Sequence, residues 1–278
     1  MTDALPPGLY LVATPIGNLG DLGARAAETL RRVDRILAED TRVTGKLLAH
    51  IGSKVPMSRY DDHSTEPERR RIVERLGTEA VALVSDAGTP LISDPGYKLV
   101  RQARGAGHLV VTVPGPCAAI AGLTVSGLPT DRFLFLGFLP AKAKARSDAI
   151  GEIASVRATL VLYESGARLG ETLGALRKQL GPRDAAVARE LTKLHEECVT
   201  GTLAELTERY ASVVPKGEIV IVVGPPAEAE AVSDRDLDRL LETAMARLSP
   251  SRAAAEVAEQ LGIPRKRAYA RALELSRE

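Results

Sequence analysis

Glycine and proline cluster at three points of the sequence, each directly after a short apolar run that predicts a β-strand. The clusters are residues 14–21, 85–90 and 114–119. These residue types allow the backbone to approach a ligand closely and to hold fixed turns. Because open α/β sheets bind ligands beyond the carboxyl ends of their strands, we expect all three clusters on one edge of a sheet. Their peptide N–H and C=O groups would suit a small zwitterion that carries an adenosine.

The spacing of these glycines disfavours two common nucleotide-binding motifs. Gly17 and Gly20 do not match the G-x-G-x-x-G pattern of dinucleotide-binding proteins, and no Walker-type G-K-[ST] sequence occurs. Enzymes that use nicotinamide cofactors or nucleoside triphosphates are therefore disfavoured. Cys117 and Cys198 lack the spacing of metal ligands, so we expect no structural metal.

The elements that must position these loops alternate in type along the first part of the chain. Apolar runs predict strands at 9–14, 36–38, 80–84 and 109–113. Helices are expected between them, with Asp21 capping residues 22–33, Gly52 ending a second helix and Pro67 opening residues 68–76. This alternation predicts an α/β domain over residues 1–127 with a largely parallel sheet.

The pattern restarts after Gly127 and predicts a second α/β domain over residues 128–226. Its apolar runs lie at 133–136, 159–162, 185–188 and 218–223, and a helix is expected over 169–180.

The last part of the chain has a different composition. Residues 225–232 are rich in Pro, Ala and Glu and indicate a linker, and residues 233–278 predict a helical tail. Two short helices, 249–262 and 264–275, resemble a helix-turn-helix. The second helix carries Arg265, Lys266, Arg267 and Arg271. The tail therefore either contacts a nucleic acid backbone or is a helical cap with solvated charges.

The composition limits the class of protein. The chain has 278 residues, of which 45% are hydrophobic and 26% charged, without a secretory signal or a membrane-spanning apolar run, so we expect a cytoplasmic globular protein. A net charge of +1 gives no global attraction to nucleic acid. Aromatic residues are 3% of the chain, which favours recognition of RNA through backbone, ribose and shape over base stacking.

Six motifs resemble the ribosomal RNA small subunit methyltransferase I family, a branch of the tetrapyrrole methylase superfamily. They are VATPIGNLGD at 12–21, AEDTR at 38–42, SDAGTPLISDPG at 85–96, PGP at 114–116, YES at 163–165 and RELTK at 189–193. The resemblance spans nearly the whole chain. It implies two α/β domains of tetrapyrrole methylase type with the cofactor cleft between them, a small C-terminal helical region and a homodimer.

The resemblance also implies an activity, which is S-adenosylmethionine-dependent 2′-O-methylation of a cytidine ribose in small-subunit ribosomal RNA. The substrate would be this RNA or the assembled small subunit. The implied cofactor-binding residues are Pro15, Ser85, Asp86, Ala87, Gly88, Thr89, Ile92, Cys117, Ala118, Tyr163, Glu164 and Leu191. The wider superfamily has an acidic residue where Thr89 stands, and this departure fits the RNA-modifying branch. Asp86 could equally lock its own turn.

Methyl transfer to a ribose hydroxyl needs aligned reactants and help for a weakly acidic acceptor. Glu39 and Asp40 are candidates for the base or for groups that orient it, Arg42 for binding a phosphate or the developing charge, and Lys193 for a cation near the acceptor. Alternatively, Glu39 and Asp40 mark a strand end that caps the next helix, and Lys193 pairs with Glu196 or Glu197.

Several other residues could take part by type. His63 and His195 are possible bases, although isolated histidines commonly lie on surfaces. Two groups of cations could follow RNA phosphates unless they form solvated faces. They are Arg42, Lys46, Arg59, Arg69, Arg70 and Arg71, and then Lys142, Lys144 and Arg146.

Two other functions compete with RNA methylation. An enzyme of the same superfamily could methylate a tetrapyrrole or a protein side chain. A non-enzymatic regulator could bind nucleic acid through the tail and sense a ligand with its α/β domains, but it would have no use for residues 39–42.

Overall fold

The computed structural model describes residues 4–61, 63–227, 234–261 and 263–276. The chain divides into two compact units, residues 1–226 and 227–278, and the first unit contains two β-sheets. The proposed domain boundary at residue 127 lies between these sheets and stays a prediction.

The first sheet is parallel throughout. Its strands are β1 (Gly8–Val12), β2 (Arg35–Ala38), β3 (Met57–Arg59), β4 (Ala80–Val84) and β5 (Val110–Val113). They are ordered β3-β2-β4-β1-β5. The predicted parallel sheet is confirmed, although the sequence analysis did not predict the edge strand β3.

Five helices of the described residues connect or follow these strands. They are α1 (Ala24–Arg32), α2 (Thr41–Ile51), α3 (Glu66–Arg75), α4 (Tyr97–Gly105) and α5 (Ala118–Val125). Gly52 ends α2 in the left-handed conformation with a φ of 69°, as expected. The prediction that Asp21 caps α1 is wrong, because Asp21 ends a short 3-10 helix and Gly23 precedes α1. Helix α3 starts one residue before Pro67, which lies in its first turn.

The second sheet is mixed. Its strands are β6 (Phe133–Phe138), β7 (Thr159–Ser165), β8 (Asp184–Arg189), β9 (Glu197–Thr202) and β10 (Glu218–Val223), in the order β6-β7-β10-β8-β9. Strands β6 and β7 are parallel, and the other neighbours are antiparallel. Its helices are α6 (Ala143–Ile153), α7 (Leu169–Leu180) and α8 (Leu203–Arg209). The sequence analysis placed α7 and β10 correctly and missed β9.

Helix α5 joins the two sheets. Successive side chains of a strand point to opposite faces, so Leu160 packs in the cluster with α7, whereas Val161 packs in the cluster with Ala119 and Leu123 of α5. A β-carbon on Gly122 would lie 2.7 Å from Cγ1 of Val220, so this close approach of α5 to β10 requires glycine. The loop that precedes α5 is thereby fixed relative to the second sheet.

The second unit consists of helices α9 (Asp234–Met245), α10 (Pro250–Leu261) and α11 (Arg265–Leu275), which pack around a shared apolar cluster that includes Leu241, Val257 and Ala268. The predicted helical tail is confirmed within the described residues. Residues 228–232 of the predicted linker, and residues 233, 262, 277 and 278 of the predicted tail, lie outside the described residues. No helix of the described residues is long and apolar enough to cross a membrane.

Candidate active site

The three glycine- and proline-rich loops of the first sheet bond to one another. Thr14 and Gly88 form an isolated antiparallel bridge, with N···O distances of 2.8 and 3.1 Å. The Thr14 hydroxyl donates to the carbonyl of Ser85, and the Thr89 hydroxyl donates to the carbonyl of Pro116 at 2.8 Å. The loops after β1, β4 and β5 therefore lie together at the carboxyl edge of the first sheet.

Two loops beside this edge contain residues other than glycine whose backbone has the left-handed conformation. Leu91 and Ser93 have φ angles of 74° and 63°, and Glu190 and Thr192 have φ angles of 51° and 66°. This conformation is uncommon for residues with a β-carbon and is found where the surroundings enforce it, often at functional sites. The segments around residues 91–93 and 190–192 are therefore held in specific shapes.

A cavity of about 410 Å³ opens between these loops and the second sheet. Five carboxylates are among its lining residues, and no lysine, arginine or histidine occurs among the lining residues described. The five are Glu39, Asp86, Asp94, Glu164 and Glu218. We call it the acidic cavity. Its charge favours a cationic ligand over a phosphate.

Glu164 is the most deeply buried of these carboxylates, with 2% of the residue exposed. It accepts hydrogen bonds from the backbone N–H of Ser165 at 2.8 Å and from the Thr172 hydroxyl at 2.6 Å, and it lies 3.4 Å from Nε of Arg168. A buried charge costs free energy unless it is paired in this way. The protein therefore maintains a fixed carboxylate in the cavity wall.

Tyr163 connects the cavity wall to helix α5. Its hydroxyl oxygen accepts a hydrogen bond from the backbone N–H of Ala119 at 3.1 Å, in the first turn of α5. Its ring packs edge-on against Phe135 and Phe138. Burial raises the pKa of Tyr163, and the nearby Cys117 adds to the shift. Tyr163 is therefore a neutral phenol that satisfies a helix-end N–H.

The residues after β2 divide into two roles. Glu39 lines the acidic cavity. Asp40 is the N-cap of α2 and accepts hydrogen bonds from the backbone N–H and the guanidinium of Arg42. These bonds to Arg42 hold the pKa of Asp40 well below its usual range. Asp86 accepts a hydrogen bond from the backbone N–H of Asp40 at 2.9 Å, and so ties the loop after β4 to the loop after β2.

A second cavity of about 360 Å³ adjoins the first. It shares four lining residues with the acidic cavity, namely Ile16, Asp86, Ala87 and Glu218. Two lysines, Lys46 and Lys193, are also among its lining residues, so we call it the lysine cavity. The acidic cavity thus has carboxylates without a cation among its described lining residues, whereas the lysine cavity has two lysines beside two carboxylates, Asp86 and Glu218.

Lys193 is held between two carboxylates. Its ammonium lies 3.0 Å from Oε1 of Glu190 and 3.1 Å from Oε2 of Glu218. Partial burial lowers the pKa of Lys193, but the hydrogen bonds that it donates to Glu190 and Glu218 outweigh burial and raise the pKa overall. Lys193 thus stays cationic near neutral pH. Its partners are Glu190 and Glu218, and not Glu196 or Glu197 as the alternative interpretation held.

Most residues expected to bind the cofactor line one of the two cavities. Those in the acidic cavity are Asp86, Ala87, Gly88, Thr89, Ile92, Ala118, Tyr163, Glu164 and Leu191. Pro15, Ser85, Asp86 and Ala87 line the lysine cavity. Cys117 is among the lining residues of neither and precedes α5, packed with the apolar cluster there. The assignment of these residues to a cofactor stays a prediction.

The proposed catalytic residues do not line a single cavity. Glu39 lines the acidic cavity and Lys193 the lysine cavity, whereas Asp40 and Arg42 line neither, and the same holds for His63 and His195. Five further residues that were not among the predicted site residues line the acidic cavity, namely Ser93, Asp94, Phe138, Gly217 and Glu218. Ser93 and Asp94 lie in the last four residues of the SDAGTPLISDPG motif at 85–96, so their position in this motif could have identified them as site residues.

Some cations considered for RNA binding are engaged within the protein. Arg146 is only 5% exposed and pairs with Glu171, so the expectation that it contributes to a basic surface loop is wrong. In the second unit, Arg267 pairs with Asp234 and Arg271 with Asp238. These ion pairs join α11 to α9, and whether the tail contacts nucleic acid stays a prediction.

The sequence matches two family models. Residues 8–207 match the Tetrapyrrole (Corrin/Porphyrin) Methylases, and residues 231–276 match the RsmI C-terminal HTH domain. The solved structure of diphthine synthase has a TM-score of 0.62 at 17% identity and covers 78% of this chain and 89% of its own. Uroporphyrin-III-C-methyltransferase from Thermus thermophilus has a TM-score of 0.56 at 21% identity, covering 78% and 94%. These structures share the fold.

Curated relatives match nearly the full length. Ribosomal RNA small subunit methyltransferase I of Erythrobacter litoralis (strain HTCC2594) is 58% identical over 273 residues, which are 98% of this chain and 97% of the relative. The protein of the same name from Mesorhizobium japonicum is 49% identical over 274 residues, with 98% and 93% covered. With these matches, the chain belongs to the tetrapyrrole methylase family and, within it, to the ribosomal RNA small subunit methyltransferase I family.

Proposed function

We propose that this protein transfers a methyl group from S-adenosylmethionine to the 2′-hydroxyl of a cytidine in small-subunit ribosomal RNA. The observation that carries the proposal is that two cavities adjoin and that, among their described lining residues, lysines occur in only one of them. The acidic cavity would hold the methyl donor, and the lysine cavity would hold the acceptor nucleotide. The reacting atoms would then meet at the shared wall formed by Ile16, Asp86, Ala87 and Glu218.

The acidic cavity suits the donor in size and charge. S-adenosylmethionine carries a sulfonium and an ammonium against one carboxylate, and small-ligand pockets of about 300–1,000 Å³ are typical. Glu164 and Asp86 are fixed carboxylates that would face its positive groups. Ala87, Gly88 and Ala118 leave space for the adenosine. When bound, the donor supplies a methyl group whose bond to sulfur breaks as its bond to the ribose oxygen forms.

The lysine cavity suits a nucleotide. Lys46 and Lys193 line it and provide cations for a phosphate or for negative charge that develops on the acceptor oxygen. Pro15, Gly17 and Leu47 provide an apolar surface beside these cations. A 2′-hydroxyl held here distinguishes RNA from DNA at the site.

Glu39 is the carboxylate that we assign as the base. The acceptor hydroxyl is a weak acid and must lose its proton as the methyl group arrives. Asp40 is a poor candidate because Arg42 holds its pKa low and its oxygens cap α2. Glu39 lines the acidic cavity, and the backbone N–H of the next residue, Asp40, donates to Asp86 of the wall that both cavities share. We therefore assign the base to Glu39, and Asp40 and Arg42 to positioning α2.

The names of the curated relatives favour RNA over a tetrapyrrole or a protein side chain as the acceptor. A homodimer with the small ribosomal subunit as its partner is the arrangement that we propose for the working enzyme. The lysines of the second cavity support an acceptor that carries phosphates.

The proposed function can be tested with labelled S-adenosylmethionine. The protein is incubated with purified small subunits, with extracted ribosomal RNA and with a cell extract that contains tetrapyrroles. We expect label in small-subunit RNA, at one linkage that becomes resistant to alkali because its 2′-hydroxyl is blocked. Label in a pigment or in protein, with none in RNA, would contradict the assignment.

A further inference from the structure

A third cleft, separate from both cavities, lies between edge strand β3 and helix α3. It has a volume of about 190 Å³, roughly half that of either cavity. Four arginines are among its lining residues, together with the hydroxyl-bearing residues Ser58, Tyr60 and Ser64. The arginines are Arg35, Arg59, Arg71 and Arg75. We call it the arginine cleft.

Among the residues that the structure describes, the carboxylates near this cleft are fewer than its arginines. The single carboxylate of Glu79 accepts hydrogen bonds from the guanidiniums of both Arg35 and Arg75, with N···O distances of 3.5 and 3.2 Å. Glu68 also lines the cleft, but its Oε2 accepts from the backbone N–H and the hydroxyl of Thr65 at the start of α3. One carboxylate is thus shared by two guanidiniums, and another is engaged in a helix cap.

Arg59 and Arg71 complete the charge balance. Arg59 pairs with Asp61 at 2.9 Å, so among the residues that the structure describes the four arginines have three carboxylates near them, Asp61, Glu68 and Glu79. Arg71 has no ion pair within 4 Å among residues 4–61, 63–227, 234–261 and 263–276, and it is exposed. Among the described residues, Arg71 is therefore the arginine of the cleft that has no carboxylate within ion-pair distance, and Ser64 is another of its lining residues.

The cleft is close to the proposed site of methyl transfer. Arg59 ends β3 and pairs with Ala38 at the end of β2. The next residue, Glu39, lines the acidic cavity. Because β2 and β3 are parallel, their carboxyl ends lie at the same edge of the sheet, and neighbouring strands are about 4.8 Å apart. A strand of RNA with one nucleotide in the lysine cavity could extend along this edge to the cleft.

We propose that the arginine cleft binds a backbone phosphate of the RNA, outside the nucleotide that is methylated. Guanidinium groups bind phosphate in a forked geometry, and serine hydroxyls add hydrogen bonds to phosphate oxygens. The small volume fits a phosphate rather than a nucleoside. This inference rests on the proposed RNA substrate, and it adds a contact that the two cavities do not provide.

Helix α3 offers a matched pair of variants for the test. Arg71 lies one turn before Arg75, on the side of α3 that faces the cleft, whereas the adjacent Arg70 is exposed and does not line the cleft. R71A and R70A remove the same charge from neighbouring positions. We expect R71A to raise the Kd for small subunits about five- to tenfold. The slope of log Kd against log salt concentration should fall by about one, because one fewer counterion is released on binding. R70A should change neither the Kd nor the slope.

Each outcome of this test is informative. R71K should recover part of the lost affinity, and all three variants should bind S-adenosylmethionine and unfold thermally like the wild type. Equal losses in R71A and R70A would show only a diffuse positive field and would overturn the cleft, as would no loss in R71A. In both cases the wild type would still methylate RNA. If the wild type transfers no methyl group to RNA, the proposed function itself fails.

Discussion

The α-carbon of Gly17 lies against the side chain of Lys193, so that a β-carbon on Gly17 would come within 2.4 Å of Cγ of Lys193. The two residues belong to loops of different sheets, after β1 and after β8. Both residues line the lysine cavity, and the effect of their contact on catalysis can be measured.

We expect G17A to displace Lys193 and to lower kcat/KM for small subunits about tenfold, the scale of one misplaced charge-assisted contact. K193A should lower it at least as much. Because both changes remove the same contact, the double variant G17A/K193A should be no slower than K193A. Losses that multiply in the double variant would show that the two residues act independently.

Glu190 and Glu218 should determine the alkaline limit of activity. Their hydrogen bonds raise the pKa of Lys193, and burial alone would lower it. In the double variant E190Q/E218Q, the pKa of Lys193 therefore falls, and the cation is lost at a lower pH than in the wild type. The alkaline limb of the pH profile of kcat/KM should move toward neutral pH. An unmoved limb would exclude Lys193 as the group that titrates there.

Glu39 and Asp40 are adjacent carboxylates for which we propose different roles. E39Q should lower kcat by about 10²- to 10⁴-fold, because a positioned base contributes that much. D40N keeps a side-chain oxygen at the N-cap of α2, so its kcat should stay near that of the wild type. Single-turnover transfer to small subunits measures both. A loss in D40N as large as that in E39Q would move the base to Asp40.

Glu164 should strengthen the binding of the methyl donor, S-adenosylmethionine. E164Q keeps the shape of the side chain but removes its charge, and loss of a charge-assisted contact of about 1.5–3 kcal/mol predicts a Kd for S-adenosylmethionine about 10- to 100-fold higher. Calorimetric titration measures this Kd, with E152Q on the exposed face of α6 as the control. Wild-type affinity in E164Q would place the donor's positive groups elsewhere.

Strongly apolar segments could be predicted from the sequence. Strands β4 and β10 and helix α7 begin and end where the sequence analysis placed them, because each is a sustained buried or periodic run. Two of the four edge strands, β3 and β9, lack that signal. Strand β3 has three residues, and β9 has half-buried and exposed positions but no fully buried one, so pairing with a neighbour defines both. The antiparallel pairing of the second sheet likewise depends on tertiary contacts.

The sequence predicts which loops form the site, but it does not predict which side chains pair with one another there. The glycine and proline clusters indicated which segments converge, since their residue types record the backbone shape. The clamp on Lys193 includes Glu218, which is 25 residues away in the sequence and lies at the start of a strand. No local pattern identifies such a partner. The left-handed conformations of Leu91 and Thr192 also have no sequence signature, because both residues ordinarily avoid them.

The hydrogen bonds that join Thr14 to Gly88 and Thr89 to Pro116 affect how such a protein can be re-engineered. The three loops are not interchangeable modules, because grafting one from a relative with a different acceptor would break bonds that shape the other two. A new specificity would have to be introduced in all three segments at once. Libraries that vary them jointly should therefore yield active chimaeras where single-loop exchanges yield inactive ones.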